Sequence, residues 1–378
     1  MAETIFWASV GLLLYTYIGY PALLLLISVF RDNPVRRGPL QPATTIIIAA
    51  HNEERRIRDK IENTLALVYP SEKKGIIIAS DGSTDDTNRI ASAYFDKGVK
   101  LVAVPTHRGK EAAQLEALKV STGEVVIFSD VATLLNKDAL GHIVSNFNDR
   151  SIGCVSSVDR VQTRGDKADG EKFYVTYEMM LRRLESQANS LVGLSGSCFA
   201  VRRDICEDWS TTLPSDFLSV IHAVKRGYRA VIDTRAVGFY KSVDTETHEF
   251  KRKVRTVVRG MAVLMDHLEI LNPFRYGFFS VQIASHKLLR WLVPMFMVCA
   301  IASNSLLAPG HAFYGGSLVG QAVFYCLATL GLVKKKLNRL IIFKIPAFIS
   351  LVAIAMLVAW YDYLRGRRTI RWEPSRRG

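Results

Sequence analysis

The stretch Gly75 to Thr87, GIIIASDGSTDDT, limits the fold more than any other part of the chain: three isoleucines and an alanine run straight into Ser80-Asp81-Gly82-Ser83. Such an apolar run suits a strand buried on both faces of a parallel sheet, and Asp-Gly-Ser-Thr ends it with turn and helix-capping residues. Asp81 is therefore expected at the carboxyl end of a buried strand. Open α/β sheets bind ligands there, because the loops and helix N-termini beyond the strand ends carry free N–H groups. Taken alone, Asp81 and Asp85 serve equally well as caps of the next helix.

Three more stretches repeat the pattern. Thr44 to Ala50 is a first buried strand closed by His51-Asn52-Glu53-Glu54, with a helical stretch to about Leu67. Lys100 to Val104 ends in Pro105-Thr106-His107-Arg108-Gly109-Lys110 before another helix, and Glu124 to Phe128 ends in Ser129-Asp130. Strands alternating with helices imply a mostly parallel sheet with right-handed crossovers. Four polar strand ends on one edge point to a shared ligand site rather than to separate caps. The pattern then loosens into a strand over Gly153 to Val161, a helix over Phe173 to Leu191 and a glycine turn entering a strand over Leu194 to Arg203. A capped helix start at Leu213 to Phe217, a strand over Tyr228 to Ile232 and a basic helix over Glu249 to Arg259 follow.

With 378 residues and 49% hydrophobic composition, the chain has room for about two domains, and part of it is expected in a membrane. Ile5 to Phe30 holds no charge and is long enough to span a bilayer, with Tyr15, Tyr17, Tyr20 and Gly19-Pro21 where a helix bends or packs against a neighbour. Later spans run over about His286 to Leu307, Ala312 to Val333 and Phe343 to Leu364, and 270–281 reads as an interfacial helix. The net charge of +14 gathers beside these spans, at Arg31, Arg36 and Arg37, at Lys334, Lys335 and Lys336, and at Arg365, Arg367 and Arg368. That placement favours anionic membrane lipids as partners; no recognition motif points to nucleic acid. The expected organisation is an anchor (1–31), a cytoplasmic α/β domain (42–262), an interfacial region (263–283), membrane helices (284–364) and a basic tail (365–378), in a multi-pass protein of the cell inner membrane. Three crossings after a cytoplasmic domain would leave that tail outside, so either one span is re-entrant or in-plane or the tail is an exception to the positive-inside tendency. Five scattered cysteines without C-x-x-C indicate neither a disulfide framework nor a zinc site. A transporter would carry ionisable residues within its spans, whereas Lys287 and Arg290 stand near one end; a dinucleotide oxidoreductase would need G-x-G-x-x-G where HNEERR stands.

The motifs together resemble a membrane-anchored family 2 glycosyltransferase of the inverting GT-A type, similar to bacterial exopolysaccharide and glycolipid synthases. AAHNEE (49–54) is similar to the family's first-strand motif, SDGSTDDT (80–87) to its nucleotide-binding motif and HRGK (107–110) to its phosphate-contacting loop. FSDVAT (128–133) falls where the family has Asp-x-Asp, and GSCFAVRRD (196–204) resembles its acceptor-side turn. PSDFL (214–218) falls at the catalytic base and RTVVRG (255–260) where processive members carry Gln-x-x-Arg-Trp. The resemblance implies a Rossmann-like GT-A sheet, a nucleotide sugar donor and a lipid-linked or saccharide acceptor. It assigns Asp216 as base, Asp130 as ligand of Mg²⁺ or Mn²⁺, and Lys110 and Arg259 to the diphosphate charge. Asp81 would accept from the base or ribose, Asn52 and Glu53 would line the same pocket, and Gly196 would form the acceptor-side turn. Such chemistry needs oxygen ligands for a divalent cation, cations for the leaving group and one carboxylate near the acceptor hydroxyl. Two departures stand out: Ala132 replaces the second acid, leaving one protein ligand fewer, and Gly260 and Thr256 replace the Trp and Gln of processive members. Read only as bland residues, Lys110 is an exposed helix-start lysine and Asp216 an N-cap. The rival to an enzyme is a catalytically silent glycosyltransferase-like subunit of a membrane assembly.

Overall fold

The computed structural model describes residues 1–30, 33–162, 169–241, 246–334 and 336–367. At its centre is an eight-stranded sheet in the order β3-β2-β1-β4-β7-β6-β8-β5. The strands are β1 Thr44–Ala50, β2 Lys74–Asp81, β3 Val99–Val104, β4 Val125–Asp130, β5 Leu134–Leu135, β6 Ile152–Gln162, β7 Cys198–Arg202 and β8 Arg229–Lys241. The first four pair in parallel, as their alternation with helices predicts. Period-two alternation then divides their apolar residues between two cores. Ile47, Ile77, Val126 and Phe128 face one side with Leu118 and Phe199, while Ile46, Ile48, Ile76, Ile78 and Ile127 face the other with Ile57, Ile61 and Leu140.

Register sets the edge on which the polar residues gather. Ala49 pairs with Asp130 and Asp81 with Val104, so β2 and β4 each run two residues further than their apolar content suggests and carry both acids to the same edge. β7 then reverses direction, with Cys198 opposite Ser129 and Arg202 opposite Val125. Its start therefore shares the acidic edge, and its end lies at the far one. Arg202 accordingly donates to the carbonyls of Ile152 (2.7 Å) and Phe147 (2.9 Å), and Arg203 to Ser121 Oγ (2.7 Å), so both staple loops at the edge opposite Asp81 and Asp130. β8 continues well past Ile232. Asp233-Thr234-Arg235 reads locally as a stop, but a register shift against β6 between Ser156 and Val158 absorbs the irregularity and the pairing resumes.

Four helices are long and apolar enough to cross a membrane: Ala2–Phe30, Phe278–Gly310, Ala312–Val333 and Ile341–Leu364. The first two each contain a π-helical segment, Tyr15–Gly19 and Ala284–Leu289, and these meet through a 2.9 Å hydrogen bond between Tyr15 Oη and Ser285 Oγ. The stretch read as one interfacial helix is divided: Leu268–Leu271 is a 3₁₀ turn, Pro273–Tyr276 a short helix, and Gly277, at φ 57°, breaks the chain before Phe278 starts the long helix. The basic helix extends over Glu246–Asp266 and packs along Ile341–Leu364.

Candidate active site

Asp81 ends β2 with no solvent exposure. Its carboxylate accepts from the main-chain N–H groups of Arg108 and Gly109, both at 2.8 Å, and its main-chain oxygen accepts from His51 Nδ1 at 2.6 Å. His51 stacks on His107 at 3.9 Å, which ties the first-strand motif to the 107–110 loop. Asp81 thus orders that loop, a role its place at the strand end does not reveal. Gly82 makes the loop's approach feasible: at φ 61°, a Cβ there would lie 2.4 Å from His107 N. Asn52 takes up a left-handed conformation (φ 52°) and its Oδ1 accepts from Thr84 N at 2.8 Å, bracing the turn after Asp81. Glu53 is buried and gripped by Arg56 at 2.7 and 2.8 Å; burial raises its pKa above the ordinary carboxylate value despite that partner.

Lys110 begins the Lys110–Val120 helix and joins two other motifs. Its Nζ lies 2.5 Å from Asp130 Oδ1 and 3.1 Å from the Gly196 carbonyl. Burial pushes this ammonium toward neutrality, but the carboxylates of Asp130, Glu111 and Asp216 together more than offset it and hold the pKa above the ordinary lysine value. Gly196 lies in a turn fixed by Asp159 of β6, which accepts from Ser195 Oγ at 2.7 Å and from Ser197 Oγ. A Cβ on Gly196 would sit 2.9 Å from Asp216 Oδ2, so the missing side chain is what admits that carboxylate. Asp216 lies in the first turn of the Ser215–Lys225 helix, whose N-cap position is Pro214; its Oδ1 accepts from Phe217 N at 2.9 Å. Arg259, on the Glu246–Asp266 helix, pairs with buried Glu111 at 2.6 Å and so stands beside Lys110 through consecutive residues. Lys110, Asp130, Gly196 and Asp216 meet in one place, with Arg259 adjoining through Glu111; Asn52 and Glu53 brace its rim.

Lys60 escapes a search for polar strand ends. It is fully buried, and its Nζ donates to Ser129 Oγ (2.7 Å) and to the Thr133 carbonyl (2.5 Å), clamping both sides of the turn that presents Asp130. Burial lowers its pKa to about 8. A signal was available: Ile57, Lys60, Ile61 and Thr64 occupy the buried face at i, i+3, i+4 and i+7, so a lysine stands at a core position of an amphipathic helix.

Residues 45–210 match Glycosyl transferase family 2. This stretch is thus similar to a family 2 glycosyl transferase domain. Poly-beta-1,6-N-acetyl-D-glucosamine synthase of Staphylococcus aureus (strain COL) is 25% identical over 258 residues, which cover 66% of this chain and 62% of that protein. The synthase of the same name from Staphylococcus epidermidis is 24% identical over 273 residues, covering 69% and 64%. The chain thus spans less than two thirds of the length of these relatives. Mannosyltransferase PcManGT from Pyrobaculum calidifontis, solved in complex with GDP-Man and Mn²⁺, shares the fold with a TM-score of 0.73 at 22% identity, over 97% of this chain and 100% of that chain.

Within the region that matches the family model, a divalent cation would find a single carboxylate in the FSDVAT motif. Asp130 offers it, Ala132 offers nothing, and among the described residues no three His, Cys, Asp or Glu side chains converge. This donor set does not form a closed protein cage. It fits an ion that arrives with phosphates, the mode in which Mg²⁺ uses one or two carboxylates and fills its shell from substrate and water.

Proposed function

We propose that this protein transfers a sugar, with inversion, from a nucleotide diphosphate sugar to a lipid-linked or saccharide acceptor, its catalytic domain lying on the cytoplasmic face of the inner membrane. The observation that carries the reading is the meeting of Lys110, Asp130 and Asp216 around Gly196. In this reading the acceptor hydroxyl oxygen attacks the anomeric carbon, the bond from that carbon to the diphosphate breaks, and the nucleoside diphosphate leaves with the electron pair. Asp216 takes the hydroxyl proton as the new bond forms. Lys110 and Arg259 take up charge on the leaving group, with Arg259 suited to a bidentate grip. A divalent cation held by Asp130 would neutralise the diphosphate further. Asp81 holds the 107–110 loop beside the nucleotide, and Asn52 and Glu53 keep the adjoining turn in place. The relatives' printed activities, a polysaccharide synthase and a mannosyltransferase bound to GDP-Man, agree with sugar transfer in polysaccharide or glycolipid synthesis.

One observation favours the silent-subunit reading: Lys110 already fills the single carboxylate of a motif that lacks its second acid. Detergent-purified protein incubated with a panel of nucleotide sugars separates the two. Release of nucleoside diphosphate that stops in chelator and returns with Mg²⁺ or Mn²⁺ is expected. Full release after metal stripping removes the cation from the mechanism, and no release with any donor and acceptor fraction supports the subunit.

A further inference from the structure

The helix Phe278–Gly310 carries His286, Lys287 and Arg290 where it passes the catalytic domain. Read from sequence, the span begins at His286 and these charges stand at its end; the structure starts the helix earlier, and they lie within it. Arg290 Nη2 meets Glu178 Oε1 at 2.6 Å, and His286 lies between Glu185 (2.6 Å) and Glu178 (3.3 Å). Lys287 has no carboxylate partner among the described residues. Its Nζ lies 5.4 Å from the centre of the Phe217 ring and 3.5 Å from where a Cβ on Gly193 would stand. A ring face attracts a cation without neutralising it. An ionisable side chain inside an apolar helix is costly, and those that persist have a functional partner. Arg182 is a second cation with no carboxylate partner among the described residues; its Nη2 donates to the Gly193 carbonyl at 2.8 Å.

Both cations adjoin the reaction centre. Gly193 opens the turn that leads to Gly196, against which Asp216 packs, and Phe217 follows Asp216 in the chain. Lys287 also belongs to the π-helical segment Ala284–Leu289. A π turn departs from α-helical register, so it re-aims the side chains that follow, and such turns recur at functional sites. We propose that Lys287 and Arg182 hold a phosphate carried by the acceptor, so that the acceptor is a sugar joined to lipid through phosphate rather than an uncharged saccharide. The inference rests on the glycosyltransferase reading and names the acceptor class of that same site. A lipid tail would lie along the apolar helix, its phosphate would meet Lys287 at the junction with the domain, and the attached sugar would extend toward Asp216.

The test uses the full chain in phosphatidylcholine nanodiscs, measuring binding of a polyprenyl phosphate, of the parent polyprenol and, separately, of UDP and GDP. Wild type is expected to bind the phosphate at least about tenfold more tightly than the alcohol, the gain of a charge-assisted contact. Lys287→Met and Arg182→Met should each abolish most of that preference, Lys287→Arg should keep it, and nucleotide affinity should not change. Equal binding of phosphate and alcohol by wild type overturns the proposal, and this arm requires no variant to fold. Competition by phosphatidylglycerol as strong as by the polyprenyl phosphate also overturns it, making the site one for bulk headgroups. Loss of nucleotide binding alone in Lys287→Met would move the lysine to the donor. Failure of wild type to bind either nucleotide counts against the glycosyltransferase reading itself, whatever the lipid result.

Discussion

Asp216 and Gly196 depend on one another at the level of single atoms, since the carboxylate occupies space that any side chain at 196 would claim. With Pro214 as the N-cap, Asp216 can be exchanged for Asn without losing a helix cap. Asp216→Asn is expected to lower transfer by about 10²- to 10⁴-fold, the range of a lost general base, with nucleotide sugar still bound at near-normal affinity. A folded variant that keeps more than roughly a tenth of wild-type kcat would put the base elsewhere. Lys60 gives a second residue-scale prediction. Its folded pKa of about 8 lies below the ordinary 10.5, so the unfolded chain holds more protons between those values and wild type should gain stability as pH rises from 8 to 10.5. Thermal midpoints of wild type and Lys60→Met, compared across that window, should diverge in wild type's favour as pH rises. A constant difference would mean that the buried amine keeps its proton across the window, as a solvated lysine does.

At the scale of elements, the end of β2 and the start of the Lys110–Val120 helix act as one unit, joined by Asp81 and separated only by the absent side chain of Gly82. Gly82→Ala combines a left-handed backbone with a Cβ 2.4 Å from His107 N, an atom of main chain that cannot rotate away. Destabilisation of about 2 kcal/mol or more is expected, the sum of backbone strain and displaced loop. Nucleotide affinity should fall with it, because the displaced loop leads into Lys110. Calorimetric melting together with nucleotide titration checks both; a stable variant with normal affinity would mean that the loop is free to shift.

At the scale of the whole molecule, the packing of Ile341–Leu364 bears on the conflict over the basic tail. Near its start Phe343 and Ala347 press on Gly331, and Lys253 of the basic helix lies 4.8 Å from the Phe348 ring. Near its end Trp360 Nε1 donates to the Trp291 carbonyl at 2.9 Å, and Trp360 and Tyr363 pack on the core that contains Met261 and Trp291. The helix is thus held against the apolar helix Ala312–Val333 as well as against the basic helix and the core beside Trp291; if it lay in the membrane plane, the tail would stay on the catalytic side. A cysteine at Arg367, in a background with the exposed Cys299 and Cys326 replaced, is expected to react with an impermeant probe from the face that carries the catalytic domain. One in the Lys334–Arg339 loop should react from the same face, since clustered lysines resist translocation. Labelling at 367 from the opposite face alone would make the helix a crossing.

The sequence by itself determined the parallel strands, the edge at which Asp81 and Asp130 emerge and the apolar helices. Each of these rests on a local signal: period-two burial, a polar stop or an uncharged run. Tertiary structure decided what those signals do not encode. The reversal of β7 brings Gly196 to the acidic edge and sends Arg202 to the other, because strand direction follows from the path of a chain that returns after some 70 residues rather than from the composition of CFAVR. Lys60 beneath Asp130, Glu111 against Arg259 and Lys287 against the 193–197 turn are contacts between residues distant in the chain. Which charge meets which in a low-dielectric interior is settled only when helices dock, since burial makes each pairing obligatory but names no partner in advance.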